Sequence, residues 1–191
     1  MQNMAEIQPT FVFSVPRIYE KVHSTVVARM RKSLRLVRQM FAFSMFIGSW
    51  ISRIKQRGTW AWWKYPHLVF LQEMANLLVF NRLKNLFGGK LRFFISGGAP
   101  LSREIAEFMH AMGILVLEGW GLTETSAAAT LNTLDHYQFG SVGRPIPGTE
   151  VVVADDGELL IRGRNILSEY YKRPEATAEE LVDGWFHTGD I

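Results

Sequence analysis

The stretch between residues 90 and 121 restricts the fold most, because two short apolar segments there are each followed by glycines. Residues 91–96 and 114–117 have the length and apolar character of buried parallel strands. Between them, Ser102 can cap a helix that ends at Gly113. This order predicts a strand–helix–strand unit whose parallel strands end at the same edge of a sheet. We therefore expect an α/β fold, with a ligand crevice at the carboxyl ends of these strands.

The glycine-rich segment after the second strand holds the most specific candidate residues. Gly119 and Gly121 bracket Trp120, so the backbone can approach a planar ligand while the indole offers a stacking face. Thr123 supplies a hydroxyl for phosphate oxygens, and Glu124 supplies a carboxylate suited to Mg²⁺, which binds phosphate oxygens together with protein carboxylates. The same pattern also fits an ordinary turn that contains a core tryptophan and a solvated glutamate.

Two further segments carry candidate binding residues. Gly98, Ala99 and Pro100 follow the first strand, and their small size would let the backbone reach a base or an acyl carbonyl. Asp190 lies near the end of the chain, and carboxylates commonly bind paired ribose hydroxyls. Taken alone, the first segment is more typical of a tight strand-to-helix connection than of a binding site. An aspartate after a glycine, such as Asp190, is likewise more typical of a turn. One crevice can use both glycine segments, because they follow neighbouring strands.

Residues 20–87 have the spacing of helices. Apolar residues recur there every three or four positions, at Val22, Val26, Met30, Leu34, Val37 and Phe41. An aromatic patch at residues 60–65 follows, and a second helix is predicted over residues 68–86, before Gly88 and Gly89.

The charge of this region differs from that of the rest of the chain. Residues 21–72 contain ten lysines and arginines and no acidic residue, whereas the remainder has eleven basic and eighteen acidic residues. Such a basic amphipathic segment can pack on the α/β body, bind nucleic acid, or lie on an anionic membrane with Phe41, Phe43, Phe46 and Trp50 inserted. Packing and peripheral membrane contact are the favoured interpretations, and we expect no nucleic-acid partner.

Several other kinds of site are excluded by composition. The chain has no cysteine, which rules out disulfides, thiolate metal sites and thiol catalysis. None of the five histidines lies at metal-ligand spacing from another, and no GxxxxGK[ST] phosphate loop is present. The apolar share of 48% is sufficient for a core, and the longest uncharged apolar run is too short for a spanning helix of about 20 residues.

Beyond residue 140 the pattern changes to short strands. Residues 150–154 and 158–162 flank Asp155, Asp156 and Gly157 and predict a β-hairpin. We therefore predict an α/β portion over residues 1–138, with the basic helical insertion at 21–87, and a β-rich portion over 139–191.

Taken in order, these motifs resemble the adenylate-forming (AMP-binding) superfamily, and within it the long-chain fatty-acid–CoA ligases. The matching stretches are residues 9–10 with 15–21 (VPRIYEK), 94–101 (FISGGAPL), 119–125 (GWGLTET), 157–171 with 174–177, and 184–191 (GWFHTGDI). The first stretch points to the long-chain branch, and the others occur throughout the superfamily. Trp120 stands where tyrosine is frequent, Arg164 where proline is common and Glu169 where glycine is usual.

The resemblance implies the large N-terminal domain of the adenylate-forming fold and a role for each candidate residue. Gly98, Ala99 and Pro100 would line the adenine and acyl side of the crevice. Trp120 would stack on adenine between Gly119 and Gly121. Thr123 would contact the α-phosphate, Glu124 would ligate Mg²⁺, and Asp190 would hold the ribose hydroxyls.

The implied reaction activates a long-chain fatty acid with ATP as acyl-AMP and transfers the acyl group to coenzyme A. Other adenylate-forming chemistry, as in acyl-AMP ligases or aryl-acid and amino-acid activators, is the alternative, and a non-catalytic membrane-docking module is another. The resemblance also implies a phosphate loop before residue 1 and a lysine-bearing C-terminal domain after residue 191. The 191 residues are therefore interpreted as an internal fragment that is inactive alone. The whole enzyme is expected in the cytoplasm, and peripheral contact with the inner membrane surface is an open alternative.

Overall fold

A five-stranded sheet with helices forms most of the molecule, and a four-stranded sheet follows it in sequence. The computed structural model describes residues 2–56, 66–85 and 87–191. The aromatic patch at residues 60–65 and Leu86 at the end of the second predicted helix lie outside the described residues. The α/β class expected from the sequence is confirmed.

The elements before β3 are mostly helices, with β1 and β2 between them, and those after it are mostly strands. In chain order they are α1 (Gln2–Ile7), β1 (Phe11–Ser14), α2 (Pro16–Arg31), α3 (Arg35–Gln56), α4 (Pro66–Ala75), a π-helical turn (Asn76–Phe80), α5 (Asn81–Asn85), β2 (Phe93–Ser96), α6 (Arg103–Ala111), β3 (Leu115–Trp120), a 3₁₀ turn (Thr123–Thr125), β4 (Thr130–Leu131), β5 (Arg144–Pro145), β6 (Thr149–Val153), β7 (Leu159–Gly163), α7 (Pro174–Glu180), β8 (Leu181–Val182) and β9 (Trp185–His187).

The first sheet contains the predicted strand–helix–strand unit. Its strand order is β1-β2-β3-β4-β5, with β1, β2 and β3 parallel and the last two strands antiparallel to their neighbours. Helix α6 connects β2 to β3 as expected, although Ser102 makes no capping hydrogen bond with its side chain. The carboxyl ends of β2 and β3 therefore lie side by side, because Ser96 pairs in register with Glu118.

Strand β3 is longer than the sequence predicts. The apolar run ends at Leu117, but the strand continues through Glu118 to Trp120. The extension arises because Gly119 and Trp120 pair with Leu131 and Thr130 of the short antiparallel strand β4. Trp120 is thus held in a sheet rather than in a turn, and the turn begins only at Gly121.

Helices α2 and α6 cover the parallel strands and form the core with them. Tyr19 of α2 is fully buried and meets Phe94 of β2 edge to face, with ring centroids 5.3 Å apart. The Tyr19 hydroxyl donates a hydrogen bond of 3.0 Å to the carbonyl of Ile95, and its burial raises its pKa above the ordinary value. Met109 of α6 and Val116 of β3 complete this contact region.

The region with helical spacing is helical, but its apolar stripe is not continuous. Val22 and Val26 lie on the buried face of α2, whereas Leu34, between α2 and α3, is 79% exposed. The second predicted helix consists of α4, the π-helical turn and α5. Within the described ranges, no helix combines the length and apolarity that crossing a bilayer requires.

The predicted hairpin is present as β6 and β7, which pair from Thr149 with Gly163 to Val153 with Leu159. Strands β9 and β8 extend it into a sheet of order β6-β7-β9-β8. The first sheet ends at Pro145 and the second begins at Thr149. The division into portions at residues 138 and 139 stays a prediction.

Helix α3 approaches α6 closely at one glycine. A Cβ atom added to Gly48 would lie 2.1 Å from the backbone oxygen of Ala111, the last residue of α6. That distance is far below van der Waals contact, so the two helices can pack this way only with glycine at this position.

We therefore expect Gly48→Ala to lower the free energy of unfolding by about 1–3 kcal/mol, the usual cost of overpacking. The sign of this change in the free energy of unfolding is informative, because alanine ordinarily stabilises a helix interior by about 0.5–1 kcal/mol relative to glycine. Urea denaturation followed by circular dichroism measures the change. Gly97→Ala is the control, since its new Cβ would meet the end of the exposed Phe13 ring at 3.1 Å and the backbone only at an ordinary contact distance of 3.7 Å. A Gly48→Ala chain as stable as the wild type would contradict this packing.

Candidate adenylate-binding site

A cavity of about 630 Å³ lies at the carboxyl ends of β2 and β3, where the sequence predicts a crevice. Seven of the nine candidate residues line it: Gly98, Ala99, Pro100, Gly119, Trp120, Gly121 and Asp190. Thr123 and Glu124 do not line it and occupy the neighbouring 3₁₀ turn. The two glycine segments and the distant aspartate therefore share one cavity.

Trp120 and Asp190 are in direct contact. The indole Nε1–H donates a hydrogen bond of 2.8 Å to Oδ2 of Asp190, across 70 residues of sequence. Both side chains are half-buried, and each lines the cavity. The indole is thus neither in the core nor free in solvent, which leaves it open to a planar ligand.

The second sheet fixes the position of Asp190. The backbone N–H of Leu159, on β7, donates to the Asp190 carbonyl at 2.9 Å, and the Thr188 hydroxyl donates to the Leu159 carbonyl at 2.7 Å. One residue before the aspartate, the N–H of Gly189 donates to Oε1 of Glu158 at 2.8 Å. This bond, together with one of 2.9 Å between Oε2 of Glu158 and Nδ1 of His187, lowers the pKa of the Glu158 carboxyl. The backbone around Asp190 is therefore fixed on both sides of the residue.

The glycines beside Trp120 have a structural reason that the sequence interpretation did not include. A Cβ atom on Gly121 would lie 1.8 Å from the backbone oxygen of Ala127, and one on Gly119 would lie 2.8 Å from Cδ1 of Leu131. The chain therefore requires glycine at residue 121 to pack against its own following loop, and the close strand β4 favours glycine at residue 119. Close approach to a ligand is not needed to explain either residue.

The 3₁₀ turn presents Thr123 and Glu124 next to the second portion of the chain. Thr123 is exposed and Glu124 half-buried. Oε1 of Glu124 accepts a hydrogen bond of 3.1 Å from the Tyr170 hydroxyl, and its backbone carbonyl accepts one of 2.8 Å from the Leu167 N–H. Both partners belong to residues 157–171, which the sequence singled out without assigning this contact.

Glu124 can contribute one ligand to a magnesium ion but cannot form a site alone. Among residues 2–56, 66–85 and 87–191, no cluster of three or more histidine, aspartate or glutamate side chains is placed to hold a metal. Mg²⁺ commonly needs only one or two carboxylates when phosphate oxygens and water complete its shell. The half-buried carboxylate of Glu124 fits that limited role.

Glu118 is a cavity residue that the sequence interpretation missed. It is 7% exposed, and its Oε1 and Oε2 accept the backbone N–H groups of Leu101 and Gly140 at 3.3 and 3.2 Å. Burial raises the pKa of this carboxyl, while the two hydrogen bonds act in the opposite direction. Glu118 therefore connects two cavity-lining loops. An acidic residue directly after an apolar strand was the available signal.

Ser96, at the end of β2, is the second missed residue. Its side chain is 1% exposed and lines the cavity, yet Oγ has no hydrogen-bond partner in the described part of the chain. Buried hydroxyls nearly always have a partner, so this one is suited to a polar atom of a ligand.

Comparison with known proteins identifies relatives over nearly the whole chain. The model of the AMP-binding enzyme family matches residues 1–171. The long-chain-fatty-acid–CoA ligase FadD15 of Mycobacterium bovis is 35% identical over 189 residues, which is 98% of this chain and 30% of that protein. Long chain acyl-CoA synthetase 1 of Arabidopsis thaliana is 34% identical over 99% of this chain and 29% of its own length.

A solved structure is also similar. The ATP-bound RpMatB-BxBclM chimera B3 is 33% identical to this chain, with a TM-score of 0.50, and the match covers 58% of this chain and 26% of that one. With respect to the curated relatives described above, the chain spans about 30% of their length. The resemblance seen in the sequence is confirmed at the level of the family. On the match over residues 1–171 and these relatives, the chain belongs to the AMP-binding enzyme family.

Proposed function

We propose that this chain forms the AMP-binding part of the active site of an ATP-dependent long-chain fatty-acid–CoA ligase. The observation that carries the proposal is the Trp120–Asp190 hydrogen bond inside the cavity of about 630 Å³. Two curated relatives with almost complete coverage of the chain bear names of long-chain acyl-CoA ligases, which supports the fatty-acid substrate.

The AMP group would use the cavity as follows. Adenine stacks on the indole of Trp120, beside the small residues Gly98 to Pro100. The ribose hydroxyls donate to the Asp190 carboxylate, which has enough lone pairs to keep the indole N–H as a donor as well. Thr123 would donate its hydroxyl to the α-phosphate, and Glu124 would supply a carboxylate ligand to a magnesium ion that neutralises the charge of the ATP phosphates.

The reaction has two steps. A fatty-acid carboxylate oxygen attacks the α-phosphorus of ATP, pyrophosphate leaves with the electron pair of the broken P–O bond, and acyl-AMP forms. The coenzyme A thiol, losing its proton, then attacks the acyl carbon, and AMP leaves as the thioester forms. No protein nucleophile is required. The contribution of this chain is to hold AMP in place and to neutralise charge at phosphorus.

We expect Trp120→Ala and Asp190→Asn each to weaken AMP binding to this chain about tenfold. Loss of one base–aromatic stack costs about 1–3 kcal/mol, and loss of a charge-assisted hydrogen bond costs about 1.5–3 kcal/mol. Isothermal titration calorimetry with AMP measures both effects. The controls are Trp50→Ala and Asp183→Asn, which change exposed residues outside the cavity.

The same titration separates the competing substrates. A non-hydrolysable dodecanoyl-adenylate analogue should bind at least tenfold more tightly than the benzoyl analogue, because each buried methylene contributes about 0.8 kcal/mol. Tighter binding of the benzoyl analogue would favour an aryl-acid activator. A folded wild-type chain without saturable AMP binding, or unchanged affinity in both site variants, would contradict the proposal.

A peripheral membrane contact through α3 is the second proposed function, at the inner membrane surface of a cytoplasmic enzyme. Leu36, Phe43, Phe46 and Trp50 recur at helical spacing on α3, and all four are between 46% and 69% exposed. Phe41, which the sequence groups with them, instead packs against the core. The exposed residues form an apolar stripe along α3.

The charge of the same helix supports an anionic lipid surface as the occupant of this stripe. Arg35, Arg38 and Arg53 lie on the same helix and are exposed, and residues 21–72 contain no acidic side chain. Helices with aromatic residues on one side and arginines beside them lie in the interface of anionic bilayers. A surface that meets acyl chains is also a suitable place from which a fatty-acid ligase takes its substrate.

We expect the chain to co-sediment with vesicles that contain phosphatidylglycerol and to bind pure phosphatidylcholine vesicles much more weakly. Replacing Phe46 and Trp50 by serine should lower partitioning at least tenfold, since burial of such a ring contributes about 1.5 kcal/mol or more. Val153→Ser, on exposed β6, is the control. Equal binding to both lipids, or a double variant that binds like the wild type, would contradict the membrane proposal. A monomer–dimer equilibrium abolished by the double variant would assign the stripe to a second copy instead.

A further inference from the structure

A second cavity, of about 340 Å³, lies at the opposite edge of the first sheet from the adenylate site. Arg92, Gly113 and Leu115 line it, and they lie at the amino ends of the parallel strands β2 and β3. Helix α3, the α4–α5 segment and α6 form the other walls. None of its residues belongs to the proposed AMP cavity.

Positive charge predominates in this cavity. Lys55, Lys84 and Arg92 contribute three cations, and Glu73 is the one carboxylate among the described lining residues. Neutral hydrogen-bonding groups lie between them, from Ser52, Gln72 and Asn76. The ammonium of Lys84 donates to Oδ1 of Asn76 at 3.3 Å, and Lys84 lies over Gly113, where an added Cβ would be 2.7 Å from Nζ. Glycine at residue 113 therefore makes room for this lysine.

The two lysines are held in the cavity at an electrostatic cost. Burial lowers the pKa of Lys55, and the charge of Lys84 lowers it further. Burial also lowers the pKa of Lys84, while Glu73 partly restores it. The described lining residues thus bring three cations to one carboxylate, and a bound anion would be attracted to them.

His110 contributes hydrogen bonds to the wall of this cavity but carries no charge at neutral pH. Burial and the nearby Lys55 lower its pKa to about 4. Its Nδ1 is hydrogen-bonded to the Ser52 hydroxyl at 2.7 Å, and its Nε2 to the Tyr137 hydroxyl at 3.1 Å. The first bond connects α6 to the end of α3, which carries Lys55, and the second connects α6 to the segment between β4 and β5.

We propose that this cavity binds the phosphate group of a soluble phosphorylated molecule. Phosphate matches the cluster because it carries up to two negative charges and accepts hydrogen bonds from several donors at once. Lysine binds it as a point charge, and the planar guanidinium of Arg92 can donate two parallel hydrogen bonds. The volume lies within the range of small-molecule sites, so part of the bearer of the phosphate fits as well. The proposal is independent of the proposed ligase function.

The test compares inorganic phosphate with chloride at equal ionic strength. Phosphate should raise the melting temperature of the wild-type chain saturably, by about 4 °C or more at high occupancy, and should broaden in ³¹P NMR when the chain is present. The Lys55→Met, Lys84→Met double variant should lose at least tenfold in phosphate affinity. Without phosphate it should melt at or above the wild-type temperature, because the two repelling charges have been removed.

The matched control is the Lys32→Met, Lys90→Met double variant, which removes two exposed lysines outside the cavity and should keep the full phosphate response. An equal phosphate response of the cavity variant and the wild type, or no saturable response of the wild type, would overturn the proposal. Binding to phosphatidate vesicles without any response to inorganic phosphate would overturn the assignment to a soluble ligand.

Discussion

The hydrogen bond from the indole of Trp120 to the carboxylate of Asp190 connects the two sheets at the cavity that we propose binds AMP. A hydrogen bond to a charged group contributes about 1.5–3 kcal/mol when its partners are shielded from water. Each partner is fixed separately, Trp120 by antiparallel pairing with Thr130 and Asp190 by the backbone of Leu159. The candidate stacking residue and the candidate ribose ligand are therefore arranged before any ligand arrives, which lowers the entropic cost of binding.

Glu118 extends the same arrangement into the cavity wall. By accepting two backbone N–H groups, it holds the segment after β2 and the segment before β5 against the end of β3. The unpartnered hydroxyl of Ser96 lies at the end of the neighbouring strand. Gly121 also packs tightly against the backbone of Ala127. The shape of the cavity therefore depends on backbone contacts as well as on the side chains that line it.

The two edges of the parallel sheet differ in charge. The carboxyl edge combines glycine segments with the carboxylates Glu118 and Asp190, whereas the amino edge collects Lys55, Lys84 and Arg92. Topology brings the residues of each edge together, because every connection between parallel strands returns the chain to the same starting edge. Cations from α3, α5 and the segment before β2 thus meet at one place although they are far apart in sequence.

The sequence was sufficient for the strand–helix–strand unit and the hairpin, since both depend on local periodicity and turn residues. It also placed seven candidate residues that share the cavity, because strand ends and motif resemblance agree on that edge. Strand β4 could not be predicted, as two residues carry no periodic signal. The sequence shows Glu118 as an acidic residue after an apolar strand but does not show its hydrogen-bond donors, which lie 17 and 22 residues away. Leu34 fits the apolar spacing, yet the chain turns between α2 and α3 and leaves it exposed.

The indole N–H resonance of Trp120 gives the most direct test of the contact that connects the two sheets. In ¹⁵N-labelled chain it is identified as the indole signal lost in Trp120→Phe. We expect Asp190→Ala to shift this resonance strongly, Asp183→Ala to leave it unchanged, and AMP added to the wild type to move it as well. A Trp120 indole resonance at the position of a solvent-exposed tryptophan, unchanged by Asp190→Ala and by AMP, would show that Trp120 and Asp190 are not in contact.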